Sequence, residues 1–428
     1  VRLYLAHRYY GFQTGDDLEV AEEAFRRAIG LVHDPWDVRS LLIPDLLVAP
    51  FVAFAHAAGV RDPLLLATIA RYPFILLSAL NVVLVLLVGR RWYDDAAGVV
   101  AAGLYAFHWI PLVYGSSSYP RVFAVTCILF AVLLLERSHV IVAGMLAALA
   151  VTARYSEAIF LAPLLLVARR RVLLLGSFAL GACVFVGLYD SLTYGRWFGS
   201  LIDFADLTFV RRDAASAVVR QPPWWYLTNV LHWIPATLLP FLVVAWQRGE
   251  RRRLLAFVAL PVLALSAIFH KELRYLQVVV PFVLLLAARG FTLWHEQPTR
   301  RCLATVFVLL AFPLGLTRIG TAEKRSTNAA TAALWMRERN FPSVALSQAW
   351  AYGGRLFLGN DVSITDIGIP PALDRLPPTS AIAVYSPDVT PALRTACHAA
   401  GLTETRTFTG RGGRAVTVFF ARVYSLRP

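Results

Sequence analysis

The chain has 428 residues, 58% of them hydrophobic, and only 16% carry charge, against about 25% in a soluble globular domain. Mean hydropathy is +0.59, so most of the chain reads as lipid-embedded. The formal charge of +14 invites a nucleic-acid reading, but no recognition module is present, and the arginines fall in short loops between apolar runs, as in polytopic membrane proteins. No nucleic-acid partner is expected.

The chain begins at Val1 with a short "VRLYLAHRYY", and a first transmembrane helix upstream of it is expected. "TGDDLEVAEEAFRRA" follows. Asp16 and Asp17 stand at the head of a helical pattern, with Glu19, Glu22 and Glu23 in its first turns. Acidic residues there complement the helix dipole; a carboxylate at a membrane surface also suits a general base taking a proton from a hydroxyl. In "DPWDVRSLLIPDLLVAP", Arg39 opens an amphipathic stretch. Its guanidinium either snorkels to headgroups or clamps a lipid phosphate. The segment at 41–58 is expected as a partial or interfacial helix.

Ten apolar runs then follow, at 64–89, 96–114, 120–135, 139–153, 156–168, 172–189, 226–246, 254–269, 275–293 and 302–317. Arg90–Arg91, Arg137, Arg169–Arg171, Arg248 with Arg251–Arg253, and Arg300–Arg301 alternate onto one side, which the positive-inside rule makes cytoplasmic. The acidic first loop, "YGSSSYPR", "ARYSE", the loop at 190–225, "HKELR" and the C-terminal region then lie outside. Asp190 sits where an apolar run leaves the membrane, marking either a helix end or a site. Trp224 and Trp225 read as an aromatic belt, or more weakly as a stacking face for sugar rings.

"FHKELRYL" places His270, Lys271, Glu272 and Arg274 at a membrane boundary. Ionisable groups near hydrocarbon are costly and mark functional sites. A helical turn here would put His270 with Arg274 on one face and Lys271 with Tyr275 on another, with Glu272 pointing away. Of 41 Lys and Arg residues, only Lys271 and Lys324 are lysine, so a compact ammonium is expected to be needed at 271. From about 318 the pattern turns soluble, with a helix-like "NAATAALWMRERN" and strand-like "SVALSQ", "SAIAVYS" and "RAVTVFFARVYS". A small extracytoplasmic α/β domain over 318–428 is expected, as a cap or acceptor-docking module rather than a second active site. The four cysteines have no metal or disulfide spacing.

Several of these motifs converge. "HKELRYLQVVVP" resembles the HKE-x-R-[FY] signature of the polyprenyl-phosphate-mannose-dependent α-mannosyltransferases that extend GPI anchors and the N-glycan precursor. "SSSYPRVFAV" is similar to the SRTLPNxxAL turn of that family, "YDSLTYG" to DSxxYG, and "DVRSLLIPDLL" to IRSYLYPLL, in the same order over residues 10–295. The family's acidic HPDE motif corresponds to "TGDD", without its His and Pro. The resemblance implies a GT-C fold: a polytopic α-helical membrane domain over 1–317 with the C-terminal α/β domain outside. It implies a membrane glycosyltransferase moving a hexose, with mannose the best guess, from a polyprenyl-phosphate sugar to an extracytoplasmic glycan, lipid or protein acceptor, with inversion. Asp16, with Asp17 beside it, is then the catalytic base. His270, Lys271, Arg274 and Arg39 hold the donor's lipid phosphate, and Glu272, Tyr275, Asp190, Tyr194 and Arg154 line the substrate pocket. No cofactor or metal is implied beyond the lipid-linked donor. The expected location is the inner membrane of a prokaryote. A non-catalytic membrane scaffold and a lipid-linked-sugar transporter are the alternatives.

Overall fold

The computed structural model describes residues 1–8, 15–33, 38–210, 221–316, 319, 327–368, 371, 379–410 and 414–422. The expected division at 317/318 lies outside the described residues. Each of the ten apolar runs is helical, though several are short or broken. Pro63–Trp92 and Arg171–Tyr194 are the two helices long and apolar enough to cross a bilayer by themselves among the described residues. Shorter apolar helices include Ile43–Ala57, Asp95–Phe107, Val140–Val151, Val280–His295 and Arg301–Leu316.

Local chemistry sets where these helices begin. Asp62 caps Pro63–Trp92 by accepting from the Leu64 N–H at 3.1 Å, with Pro63 at the first helical position. Asp94 does the same for Asp95–Phe107, accepting from the Ala97 N–H at 2.7 Å. These two helices cross where Gly89 meets Gly98, and a Cβ on Gly89 would stand 2.6 Å from the Gly98 Cα. Small residues let helix backbones approach closely where lipid supplies no hydrophobic drive.

Val280–His295 runs through the centre, with Val280 to Ala288 buried without interruption. The outer helices keep large apolar side chains exposed: Leu76, Val83 and Leu87 on Pro63–Trp92, and Val172, Leu175, Leu180 and Leu192 on Arg171–Tyr194. Such an apolar exterior around closed helices is what a bilayer requires.

After the bundle, Thr327–Glu338 is helical as its pattern predicts, and among the described residues five strands form one mixed sheet: β1 Ser343–Leu346, β2 Ser363–Asp366, β3 Ala381–Tyr385, β4 Glu404–Phe408 and β5 Val416–Phe420. Their order is β2-β1-β3-β5-β4, with β1 parallel to β2 and β3, and β5 antiparallel to β3 and β4. Every residue of β3 and β5 is buried.

The sheet region packs on the acidic helix Gly15–Ile29. Gly353 and Gly354 both take positive φ. A Cβ on Gly354 would fall 1.9 Å from the Glu22 carboxylate oxygens, and the Arg355 N–H donates to Glu22 Oε1 at 2.8 Å. A glycine turn therefore seals the first loop against the C-terminal region. Burial raises the Glu22 carboxyl above its ordinary value, opposed by Arg26.

Candidate active site

Between the membrane bundle and the sheet lies a cavity of about 790 Å³. Asp16 is on its wall, 7% exposed, in the first turn of Gly15–Ile29. Three arginines from three other parts of the chain converge on its carboxylate. Arg39 Nη2 donates to Oδ1, Arg154 Nη2 stands 2.5 Å from Oδ2, and Arg274 Nη1 donates to Oδ2 at 3.1 Å. Arg39 also pairs with Glu19, one turn along from Asp16. Arg274 also pairs with Glu272, whose other oxygen is 3.6 Å from His270 Nε2. Burial alone would raise the Asp16 carboxyl, but Arg154, Arg39 and Arg274 win and hold it far below the usual carboxylate range.

A supporting layer fixes these groups. Arg121 Nε donates to Glu157 Oε1 at 2.6 Å, Nη1 to the Tyr119 hydroxyl at 2.6 Å, and Nη2 to Ser156 Oγ at 2.9 Å. Its guanidinium lies 4.4 Å from the Tyr275 ring centroid, and Arg274 lies 5.6 Å from the Tyr119 ring and 5.7 Å from that of Tyr275. Two tyrosine faces thus sandwich the cations, which are weakly hydrated enough to favour such stacking. The Tyr194 hydroxyl donates to the Arg39 carbonyl at 2.7 Å. His33 bridges Glu23 Oε2 at 2.8 Å and Asp45 Oδ1 at 3.2 Å, tying the acidic helix to Ile43–Ala57. Hydrogen bonds to Asp45 and Glu23 push its imidazole up to about 9.

Of the sequence-predicted residues, Asp16, Arg39, Arg154, His270, Glu272, Arg274 and Tyr275 line the cavity together. Asp17, Lys271, Asp190 and Tyr194 do not line it. Asp17 is fully buried one position round the helix, its carbonyl accepting from Ser118 Oγ at 2.8 Å. Lys271 is 2% exposed and donates to the carbonyls of Ile268 at 2.5 Å and Gln221 at 3.0 Å. The physical reason is backbone shape. No helix covers 270–272, and Glu272 is extended at φ −140°, ψ 149°. Without a helical register, His270 and Glu272 line the cavity while Lys271 is turned into the protein. The helical register expected for this stretch is corrected, and Glu272 points in rather than out. The Lys271 ammonium instead meets the carbonyl of Ile268, which ends helix Leu260–Ala267, and that of Gln221 in the preceding loop. Asp190 accepts from the Ser200 N–H at 2.9 Å and Ser200 Oγ at 2.6 Å, closing the turn between helices Tyr189–Tyr194 and Gly199–Ala205.

Sequence reasoning missed two contributions. Arg121 closes the SSSYPR turn and Glu157 the ARYSE turn, 36 residues apart, and nothing in either stretch announces that the two pair. The C-terminal region supplies Gln348, Trp350, Tyr385 and Arg414 to the cavity wall. The Trp350 ring lies 5.3 Å from the Arg39 guanidinium, and a Cβ on Gly15 would stand 2.1 Å from that ring.

A model of the Alg9-like mannosyltransferase family matches residues 31–338. GPI alpha-1,2-mannosyltransferase 3 of Mus musculus is 27% identical over 143 residues, 33% of this chain and 26% of its own length. Mannosyltransferase APTG1 of Arabidopsis thaliana is 27% identical over 121 residues, 28% of this chain and 21% of its own. The chain thus spans about a quarter of the length of the curated relatives it matches. ArnT from Cupriavidus metallidurans superposes with a TM-score of 0.64 at 11% identity, covering 97% of this chain and 95% of that one. The oligosaccharyltransferase of Archaeoglobus fulgidus gives 0.54 at 14% identity, over 88% and 66%. These likenesses establish the GT-C type of fold, completed here by a C-terminal sheet.

Proposed function

The chain belongs to the Alg9-like mannosyltransferase family, and on that premise we propose that it is a membrane glycosyltransferase. It transfers a hexose, mannose by preference, from a polyprenyl-phosphate sugar to an extracytoplasmic acceptor hydroxyl with inversion. The observation that carries this reading is the Asp16 carboxylate gathered by Arg39, Arg154 and Arg274 on the cavity wall. One carboxylate beside convergent guanidinium groups supplies both needs of the reaction. A proton must leave the acceptor hydroxyl, and charge must be stabilised on a departing phosphate.

In the free site Asp16 is ionised but weakly basic, because three cations hold it low. A donor phosphate that draws Arg154 and Arg274 onto itself weakens that hold and raises the basicity of Asp16 where it is needed. Asp16 then takes the hydroxyl proton as the acceptor oxygen bonds to the anomeric carbon. The bond from that carbon to the phosphate oxygen breaks, and polyprenyl phosphate leaves as an anion on the arginines. Glu272 holds Arg274 by its other nitrogen, and His270 stands beside Glu272. ArnT, alike in fold, is known bound to undecaprenyl phosphate, a ligand of the class read here. By the positive-inside pattern the cavity faces the outer side of a prokaryotic inner membrane.

The test is transfer by the purified chain in detergent, offered polyprenyl-phosphate-mannose with a membrane-lipid extract as acceptor pool. Wild type yields a glycosylated product, and Asp16→Asn loses about 10²- to 10⁴-fold in turnover, the usual worth of a positioned base. Product from other polyprenyl-phosphate sugars but not mannose retains the site and overturns the sugar. No product from any such donor overturns the reading.

A further inference from the structure

A second cavity, of about 890 Å³, opens where Arg169 and Arg170 lead into the helix Arg171–Tyr194. It shares no residue with the Asp16 cavity, and by the positive-inside pattern it lies at the cytoplasmic edge of the membrane. Its walls are apolar: Leu173 and Leu180 from this helix, and the exposed Ile141 from Val140–Val151. Those two helices meet beside it. A Cβ on Gly144 would stand 2.0 Å from Ser177 Oγ and 2.8 Å from the Leu174 carbonyl oxygen, so the backbones pass closely. Leu173, Gly176 and Leu180 share one helix face, and in the middle of that stripe Gly176 carries no side chain. A Cβ there would meet nothing within 4 Å. Packing therefore does not require the glycine; it leaves the groove open at a cost in helix propensity.

Several arginines on the cytoplasmic side are engaged within the protein. Arg90 pairs with Asp95 and Arg253 with Glu250, while Arg91 and Arg252 donate to the carbonyls of Glu136 and Leu166. Arg169, Arg170 and Arg171 are exposed and have no side-chain partner among the described residues. Helix stability does not explain them either, since cations at the start of a helix oppose its dipole.

We propose that this groove binds an acidic phospholipid of the cytoplasmic leaflet, its phosphate among Arg169, Arg170 and Arg171 and an acyl chain along Leu173 and Leu180 over Gly176. Guanidinium groups match phosphate oxygens in pairs, and basic pockets between helices at this face suit such headgroups. The arginines alone would accept any anion; the apolar walls that run from them select one that carries a chain. A zwitterionic lipid fits the walls but brings its own cation to the arginines, where like charges repel.

The test is lipid binding to the full chain in detergent, followed by native mass spectrometry with phosphatidylglycerol and phosphatidylcholine of the same acyl chains. Wild type is expected to prefer phosphatidylglycerol. A basic residue near an anionic headgroup is worth roughly fivefold in binding, so Arg170→Gln should weaken phosphatidylglycerol by about that factor and leave phosphatidylcholine unchanged. Gly176→Leu keeps every charge and fills the groove. It should hold or raise the melting temperature and remove most of the preference. Glycerol 3-phosphate in large excess should not displace the lipid. Equal affinity for the two lipids in wild type overturns the proposal. So does a preference that a folded Gly176→Leu leaves intact, which would reduce the arginines to the surface charge that sets topology. If Gly176→Leu melts lower than wild type, Arg170→Gln decides, and unchanged phosphatidylglycerol affinity in it overturns the proposal. Displacement by glycerol 3-phosphate would make this a site for a bare phosphate and overturn the lipid.

Discussion

The bundle wall and the sheet wall of the cavity enclose the same space by opposite means. On the bundle side, Arg39, Arg154 and Arg274 share Asp16, Glu19 and Glu272 in one ion-pair network. On the sheet side, Gln348 takes a left-handed backbone conformation and lines the cavity beside Trp350, Tyr385 and Arg414. A buried charge is tolerable only when paired, so the bundle wall must satisfy itself when empty and exchange partners when filled. A neutral amide such as that of Gln348 carries a far smaller desolvation cost than a charge.

That difference can be broken experimentally. The largest effect short of removing the base is expected from Arg274→Lys. One ammonium cannot reach Asp16 and Glu272 together as the guanidinium fork does. The donor KM should rise about tenfold with the acceptor KM unmoved; equal rises in both would mean that Arg274 does not act on the donor phosphate. Lys271→Ala should behave otherwise. It strips the donor from the carbonyls of Ile268 and Gln221 and should cost about 1–3 kcal/mol of stability, read by thermal unfolding, with the donor KM intact. A raised donor KM in that variant would return Lys271 to the phosphate site.

The smallest effect concerns His33. Its imidazole is raised from 6.5 to about 9 by Asp45 and Glu23, so its bridge contributes fully below about pH 6.5 and fades as pH rises through about 9. Thermal stability should therefore decline over that window in wild type, and His33→Gln should flatten the decline. The same slope in both would assign it to other groups.

The sequence made the bundle legible because its apolar runs are set off by arginine loops and, at two helix starts, by the caps Asp62 and Asp94. It made Asp16 and Arg39 legible through their motifs, 23 residues apart. What it concealed was geometry set by distant partners. The stretch 270–272 looks helical by spacing, yet no helix covers it and Glu272 is extended, and this reversed the sides of Lys271 and Glu272. β2 and β4 passed unnoticed because both are edge strands whose side chains, in SITD and ETRTF, are largely exposed and carry little apolar alternation. The sheet's share of the cavity was hidden most deeply. The Glu22–Arg355 hydrogen bond that seals the two regions joins residues 333 positions apart, and no local pattern encodes such a contact.

The direct test of the Asp16 cluster measures two quantities on Asp16→Asn: turnover and farnesyl phosphate affinity. Removing the carboxylate's charge deletes the base and frees guanidinium groups for phosphate. Turnover is predicted to collapse while the phosphate binds as tightly as in wild type or more so. Turnover that survives, or phosphate affinity that falls with it, would contradict the assignment of Asp16 as base and the arginines as phosphate cradle.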